Sequence, residues 1–209
     1  MRPRIAVIDY GVVNLGSLCR AIEHMCEIVV TEEQEKRKDA DAITLPGVGA
    51  FAAGMEGLRV RGLIEPLREE ARKSKPILGV CLGAQLLLEK SDEFGIHDGL
   101  GILKGEVMHF PQLPPDVEIP AIGWQEVMPQ DERAQKLFAG VAKPYMYFVH
   151  SYIIKPADES QILARTSYGG YTYCAVVGTG AIIGTQFHPE KSGHAGQTFL
   201  KNYIARIMR

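Results

Sequence analysis

The run Lys75-Pro76-Ile77-Leu78-Gly79-Val80-Cys81-Leu82-Gly83-Ala84-Gln85-Leu86-Leu87-Leu88 constrains the fold of this chain more than any other stretch. Pro76 can open a strand but not sit inside one. Ile77 to Val80 then reads as a short apolar strand aimed at a cysteine. Beyond Cys81 the period changes: Leu82, Leu86 and Glu89 fall at helical spacing, and Leu87 and Leu88 broaden the apolar stripe. The pattern is strand, sharp turn, helix, with Cys81 at the turn and Gly79 and Gly83 two residues away on either side. It is the cysteine version of the G-x-S-x-G nucleophile elbow. Without Cβ atoms the two glycines let strand and helix approach closely. A cysteine at a helix start sits where backbone N–H groups and the helix dipole favour an anion. The Leu82 N–H, one residue on, is a natural oxyanion-hole donor. A packing cysteine between an inner strand and its helix would give the same local pattern, so the remaining sequence has to discriminate.

The sequence before the elbow alternates strands and helices. Arg4 to Asp9 is an apolar strand, and Tyr10 to Asn14 a turn ending in a good N-cap residue. Leu15, Leu18, Cys19, Ile22 and Cys26 trace one helical face. Glu27 to Thr31 reads as a strand, Glu32 to Asp39 as a solvated helix, and Asp41 to Leu45 as a third strand. This order and spacing predict a parallel sheet with right-handed crossovers. Pro46-Gly47-Val48-Gly49-Ala50-Phe51 follows the third strand. Its two glycines allow unusual backbone angles, and exposed N–H groups there could hold an oxygen or a carboxylate; an ordinary glycine-rich loop is the plainer alternative. Glu56 to Ser74 reads as helix, interrupted or restarted at Pro66. Ligands of such sheets bind beyond the carboxyl ends of the strands, which puts the Gly47–Gly49 loop and Cys81 on one rim.

After Gly95 the chain turns β-rich. Gly105 to Phe110, Gln125 to Met128, Tyr145 to His150, Ser151 to Ile154, Ile162 to Tyr168, Tyr171 to Val177 and Ala181 to Gln186 read as strands. Turns at Gly169-Gly170 and Gly178 favour antiparallel hairpins. Phe110 to Pro120, with four prolines, reads as an exposed loop. Phe199, Tyr203, Ile204 and Ile207 share a face of a C-terminal helix.

Composition narrows the function classes. A net charge of -2 with no basic stripe argues against nucleic acid or an anionic membrane as the main partner. No apolar run approaches the roughly 20 residues of a membrane span. Met1-Arg2-Pro3-Arg4 runs straight into a strand, so no signal peptide is expected. Cys19, Cys26, Cys81 and Cys174 form no C-x-x-C pair, so no zinc or other metal site is expected. The cysteine usage fits a reducing compartment, the cytoplasm.

The strand Ala181 to Phe187 runs into His188-Pro189-Glu190. Pro189 biases His188 to extended geometry, and residues i and i+2 of an extended chain point to one side. Glu190 can therefore reach the His188 imidazole. In a triad His188 would accept the Cys81 proton, and Glu190 would hold its tautomer and stabilise the cation. A surface turn is the bland alternative for His-Pro-Glu alone.

Gly79-Val-Cys-Leu-Gly-Ala-Gln85 with Gln186-Phe-His-Pro-Glu190 resembles the class I, triad-type glutamine amidotransferases. Further pieces narrow the resemblance to the glutaminase subunits of imidazole glycerol phosphate synthase. They are Ile8-Asp-Tyr-Gly11 with Asn14, Leu15 and Ser17, Pro46 to Phe51, Ile122-Gly-Trp124, Tyr147 to Tyr152, and Gln186 to Gly193. Together they span nearly the whole chain. The resemblance implies a flavodoxin-like α/β fold over one domain, residues 1–209. The sheet would be doubly wound, open and mixed, mostly parallel, with antiparallel strands in the C-terminal half. It implies hydrolysis of glutamine through a Cys81 thioester, without a cofactor. Ammonia would pass to a separate (β/α)8 cyclase subunit that makes imidazole glycerol phosphate in histidine synthesis.

Carried over from that family, the glutamine-binding positions are Gly47, Gly49, Leu82, Gln85, Glu93, His150, Ser151 and Tyr152. Val48 and Leu82 would form the oxyanion hole, and Trp124, Tyr147 and Lys191 would face the partner. Glu93 lies in a charged stretch, Lys90 to Glu93, that also reads as a solvated helix end. His150 reads as structural rather than as a second base, because His188 fills that role. Pro120-Ala-Ile-Gly-Trp-Gln125 stands where the family has Pro-His-x-Gly-Trp-Asn. Val13 and Gly16 replace a glycine and an arginine. These departures bear on the interface, not on the triad. A glutaminase of another synthase, for pyridoxal phosphate or anthranilate, is the nearest alternative. A non-catalytic regulatory subunit is a more distant one, and a lost Cys81, His188 or Glu190 would have favoured it.

Overall fold

The computed structural model describes residues 2–11, 15–31 and 39–208. The expected helix over Glu32 to Asp39, the Asn14 cap and the Val13 departure lie wholly or mostly outside them. Strands β1 (Arg4–Ile8), β2 (Glu27–Thr31), β3 (Ala42–Leu45), β4 (Ile77–Val80) and β14 (Ile182–Thr185) form a parallel run in the order β2-β1-β3-β4-β14. Antiparallel pairing then continues the sheet through β13 (Tyr171–Thr179), β11 (Tyr152–Pro156) and β7 (Gly105–His109). The short β5 (Lys90–Ser91) and β6 (His97–Asp98) extend that edge. Strand β12 (Ile162–Tyr168) forms a hairpin with β13 and takes β9 (Met128–Pro129) on its other side. Strands β8 (Ala121–Glu126) and β10 (Tyr145–His150) make a separate antiparallel pair. The sheet is thus doubly wound and mixed, as the sequence predicts.

Alternation along β1 shows how both faces are covered. Ile5 and Val7 enter one core with Leu18, Ile22, Phe199 and Tyr203, from α1 (Leu15–Ile22) and α6 (Gly193–Ile207). Ala6 and Ile8 enter the other with Phe51, Leu58, Leu67 and Leu86, from α2 (Phe51–Val60), α3 (Ile64–Arg72) and α4 (Leu82–Leu86). The unbroken apolar, buried run from Ile5 to Ile8 follows from this two-sided burial. A further helix, α5 (Glu132–Leu137), is capped by the Asp131 side chain.

Several boundaries differ from the sequence reading, each through a tertiary contact or a turn. Helix α2 starts at Phe51, five residues early, because the distant Glu93 carboxylate accepts the Phe51 N–H and satisfies its first turn. The expected helix from Glu56 to Ser74 breaks at Gly62 (φ +62) and restarts at Ile64, so the restart expected at Pro66 is found two residues earlier, with Pro66 in the first turn of α3 where its missing N–H costs nothing. Helix α4 stops at Leu86, so Lys90 to Glu93 is no helix end; Lys90 and Ser91 pair with β7. Gly178 lies inside β13 opposite Ile183, and the turn falls at Gly180 (φ +54). Cys26 lies past the end of α1, where its thiol donates to the Ile22 carbonyl. Val127 separates β8 from β9 by turning its N–H to the Pro144 carbonyl.

Candidate active site

Parallel pairing of β4 with β14 brings the elbow and the His-Pro-Glu turn together. The Cys81 N–H donates to the Thr185 carbonyl at 2.7 Å, so the two strands end side by side. Cys81 has φ +52 and ψ −110, a strained geometry for a residue with a side chain. The surrounding backbone enforces it. A Cβ on Gly83 would lie 1.8 Å from the Leu45 carbonyl oxygen, and one on Gly79 would lie 2.7 Å from the Ala84 backbone. Only glycine lets β4, β3 and α4 close this tightly.

His188 is extended (φ −98, ψ 94) and donates its own N–H to the Tyr147 carbonyl. Glu190 reaches it differently from the alternation expected of an extended chain. A short 3-10 turn over Pro189–Lys191 swings Glu190 back, and Glu190 Oε1 accepts from His188 Nδ1 at 2.8 Å. Ser192 locks this turn by donating to the His188 carbonyl and accepting the Tyr147 N–H. Both side chains are almost fully buried, 1% and 3% exposed. His188 Nε2 has no other partner and is left for Cys81. Burial opposes the imidazolium, but hydrogen bonding and charge from Cys81 and Glu190 outweigh it and raise the His188 pKa from 6.5 to about 9.

Beside Cys81 lies a cleft of about 350 Å³ lined by Val48, Gly49, Leu82, Gln85, Glu93, Pro120, Val149, His150, Ser151 and Tyr152. Ser151 is the single residue between β10 and β11, where the chain passes from the small sheet to the large one. That crossing turns His150, Ser151 and Tyr152 into the cleft. Gln85 Nε2 donates to the Tyr152 carbonyl at 3.0 Å and to Gln186 Oε1 at 3.3 Å. His150 Nδ1 donates to that same carbonyl, and its Nε2 lies 3.0 Å from the Tyr173 hydroxyl. Burial pushes the His150 pKa down to about 3, so this imidazole is neutral. Burial first, then the Glu93 and Asp92 carboxylates, raise the Tyr152 phenol above its ordinary range. Gly47 does not line the cleft. It sits beneath, with its carbonyl accepting the Leu82 N–H at 3.3 Å.

Two residues given no role by the sequence reading stand close by. Gln186, fully buried, directs its amide Nε2 toward Cys81 Sγ at 4.0 Å, and the Val149 carbonyl faces the same sulfur at 3.9 Å. The signal for Gln186 was its place directly before Phe187 and His188; Val149, an apolar strand residue acting through its backbone, carried none.

Trp124 and Tyr147 pair across β8 and β10 and meet edge-on at 6.1 Å. Trp124 is 55% exposed and Ile122 58%, and Lys191 is exposed near the triad turn. Ala121 and Gln125, the two departures on β8, face inward, with the Tyr173 hydroxyl donating to Gln125 Oε1 at 2.7 Å. The exposed side of β8 is therefore untouched by them.

A family model for "Glutamine amidotransferase class-I" matches residues 6–207. The chain belongs to the class-I glutamine amidotransferases. The "Imidazole glycerol phosphate synthase subunit HisH" of Symbiobacterium thermophilum is 45% identical over 202 residues, covering 96% of this chain and 92% of that protein. The HisH subunit of Aquifex aeolicus is 43% identical over 203 residues, covering 96% and 95%. Within its class the chain stands with these HisH subunits, and its activity is that of a glutamine amidotransferase subunit. The structure of PurLQS from Thermotoga maritima shares the fold at 19% identity, with a TM-score of 0.74 over 99% of this chain and 100% of that one. Among the described residues no helix is long and apolar enough to cross a membrane.

Proposed function

We propose that this chain, as a single domain, hydrolyses glutamine to glutamate through a Cys81 thioester and passes the ammonia to a cyclase subunit for imidazole glycerol phosphate synthesis in histidine biosynthesis. The observation that carries the reading is the meeting of Cys81 with the His188–Glu190 pair at the ends of two adjacent parallel strands. The Cys81 sulfur attacks the carboxamide carbon of glutamine. His188 takes up the thiol proton and gives it to the leaving nitrogen, so ammonia departs and a thioester remains. Water, deprotonated by His188, then releases glutamate and restores the thiol. Glu190 keeps the proton on Nδ1 and leaves Nε2 for the reaction. In this reading Glu93 takes the α-ammonium of glutamine, supported by its place in the cleft lining with Gln85, Ser151 and Tyr152. His150 is a neutral strut on the Tyr152 carbonyl.

The partner in this reading is a (β/α)8 barrel. Its docking face is the exposed side of β8 and β10, with Ile122, Trp124 and Tyr147, next to Lys191. Apolar side chains side by side on a strand pair suit a protein partner. Four free thiols support a reducing compartment, the cytoplasm. The test is glutamate release by the chain co-purified with a cyclase, together with capture of that cyclase by the tagged chain. Failure of capture, with another synthase recovered instead, would overturn the assignment of partner.

Two further results are expected of the triad. His188→Ala removes the base and should nearly silence the enzyme. Glu190→Gln should leave more activity, because the imidazole still visits the productive geometry; in a protease triad the third member alone also costs less. Small, equal losses in both variants would contradict the assignment. The raised His188 pKa also fixes a pH limb. The imidazolium that protonates the leaving nitrogen is lost as pH rises through about 9, so hydrolysis should fall there. The same shift stabilises the folded state fully below pH 6.5, and that contribution disappears between 6.5 and about 9. A pH–rate profile with no alkaline decline near pH 9 would refute this.

A further inference from the structure

The Pro46-Gly47-Val48-Gly49 loop holds two successive carbonyls by two different donors. The Tyr10 hydroxyl donates to the Pro46 carbonyl at 2.6 Å, in a position where Tyr10 is 1% exposed. The Leu82 N–H donates to the next carbonyl, Gly47, at 3.3 Å. A trans peptide points its C=O and N–H in opposite directions. With the Gly47 oxygen turned to Leu82, the Val48 N–H of that same peptide points away from Leu82. Two oxyanion donors can therefore converge only if the 47–48 peptide turns over, which breaks the long bond and leaves the short one.

Tyr10 is built into this position from two sides. Its hydroxyl lies against the Gly47 backbone, where a Cβ would come within 2.3 Å of it. Its own carbonyl is packed by Gly57 of α2, where a Cβ would come within 2.1 Å. Burial, and then the nearby Cys81, hold the phenol far on its protonated side, so it is a donor at every working pH.

We infer that Tyr10 is a positioning residue for glutamine hydrolysis: by fixing the Pro46 carbonyl it makes the Pro46–Gly47 peptide the fixed end of a hinge, so that the oxyanion peptide pivots only between Gly47 and Val48. The inference rests on the proposed glutaminase function. Without the hydroxyl, the Pro46–Gly47 peptide also rotates. The Leu82 and Val48 N–H groups then seldom aim together at the oxyanion, while the groups that bind glutamine stay in place.

The test uses Tyr10→Phe beside the wild type, each as the chain alone and as its complex with the cyclase and the ribotide ligand. In the stimulated complex kcat should fall roughly 10- to 100-fold, less than the roughly 10²–10³ that outright loss of an oxyanion donor costs, because the donor is misaimed and not removed, with KM for glutamine little changed. Iodoacetamide alkylation of Cys81 supplies the second measurement. It is a direct displacement at carbon with no oxyanion, so it reads the elbow and His188 but not the hole. Its rate should match the wild type. Unchanged kcat in Tyr10→Phe beside a normally stimulated wild type overturns the role of Tyr10 alone. Parallel loss of alkylation overturns it too, because the residue then merely supports the elbow. A wild-type complex that hydrolyses no glutamine overturns the function on which the inference stands.

Discussion

Cys81→Ala is expected to abolish glutamine hydrolysis while the paired cyclase still works on supplied ammonium. The variant removes only the sulfur. Alanine has the same Cβ as cysteine, so it fits the strained φ of +52 no worse, and Gly79 and Gly83 still hold the turn. In the proposed arrangement the partner docks on β8 and β10, away from Cys81, so its binding is left alone. What disappears is the one atom able to form the acyl intermediate. In a comparable serine protease, loss of the nucleophile alone costs about 10⁶ in turnover, and a fall of at least roughly 10⁴ is expected here on the same grounds. The measurement pairs glutamine-dependent with ammonium-dependent product formation by one complex. A mutant complex using glutamine at the wild-type rate would show the assignment to be wrong.

Thiol chemistry gives the same prediction an independent readout. Burial raises the Cys19 thiol, pushes Cys26 up to about 11, and raises Cys174 far beyond its ordinary value. All three are therefore protonated near neutrality and poor nucleophiles. A glutamine-analogue electrophile should label Cys81 first. Preferential labelling of any of the other three would count against the site.

The lone chain should be a poor glutaminase, and its turnover should rise by orders of magnitude when the cyclase and its ribotide ligand bind. In the resting arrangement the Leu82 N–H is already occupied by the Gly47 carbonyl, and the Val48 N–H points away from it. The tetrahedral intermediate would then find no open hole. Losing one such donor typically costs roughly 10²–10³ in turnover, about 3–4 kcal/mol. A partner that binds the turned-over peptide more tightly shifts the population, by no more than its differential affinity for the two states. Glutamine binding should change less than turnover, because the cleft around Gln85, Glu93 and Tyr152 is formed already. Val48→Pro deletes the N–H and should depress the stimulated rate more than the basal one. Steady-state hydrolysis is to be followed with the chain alone, then with partner, then with partner and ligand. Full-speed hydrolysis by the chain alone would sink the switch.

What the sequence determined by itself is the set of local devices. The change from strand to helical periodicity at Cys81, with glycines two residues to each side, encodes the elbow. His188-Pro189 encodes an extended histidine with a carboxylate two residues on, though not the 3-10 turn that brings Glu190 back to it, and the strand–helix alternation earlier in the chain encodes the parallel sheet. Each depends on sterics and side-chain spacing within a few residues, which a single stretch carries in full. The tertiary structure decided which devices meet. Nothing near Cys81 specifies that β14, rather than another apolar strand, lies beside β4; that follows from the order in which buried strands fill the sheet. It also decided that Glu93 starts α2, that Gln186 faces the Cys81 sulfur, and that Tyr10 and Leu82 hold neighbouring carbonyls of one loop. Hydrogen bonds of this kind join groups far apart in the chain, and their partners exist only once burial of both sheet faces has fixed the strands.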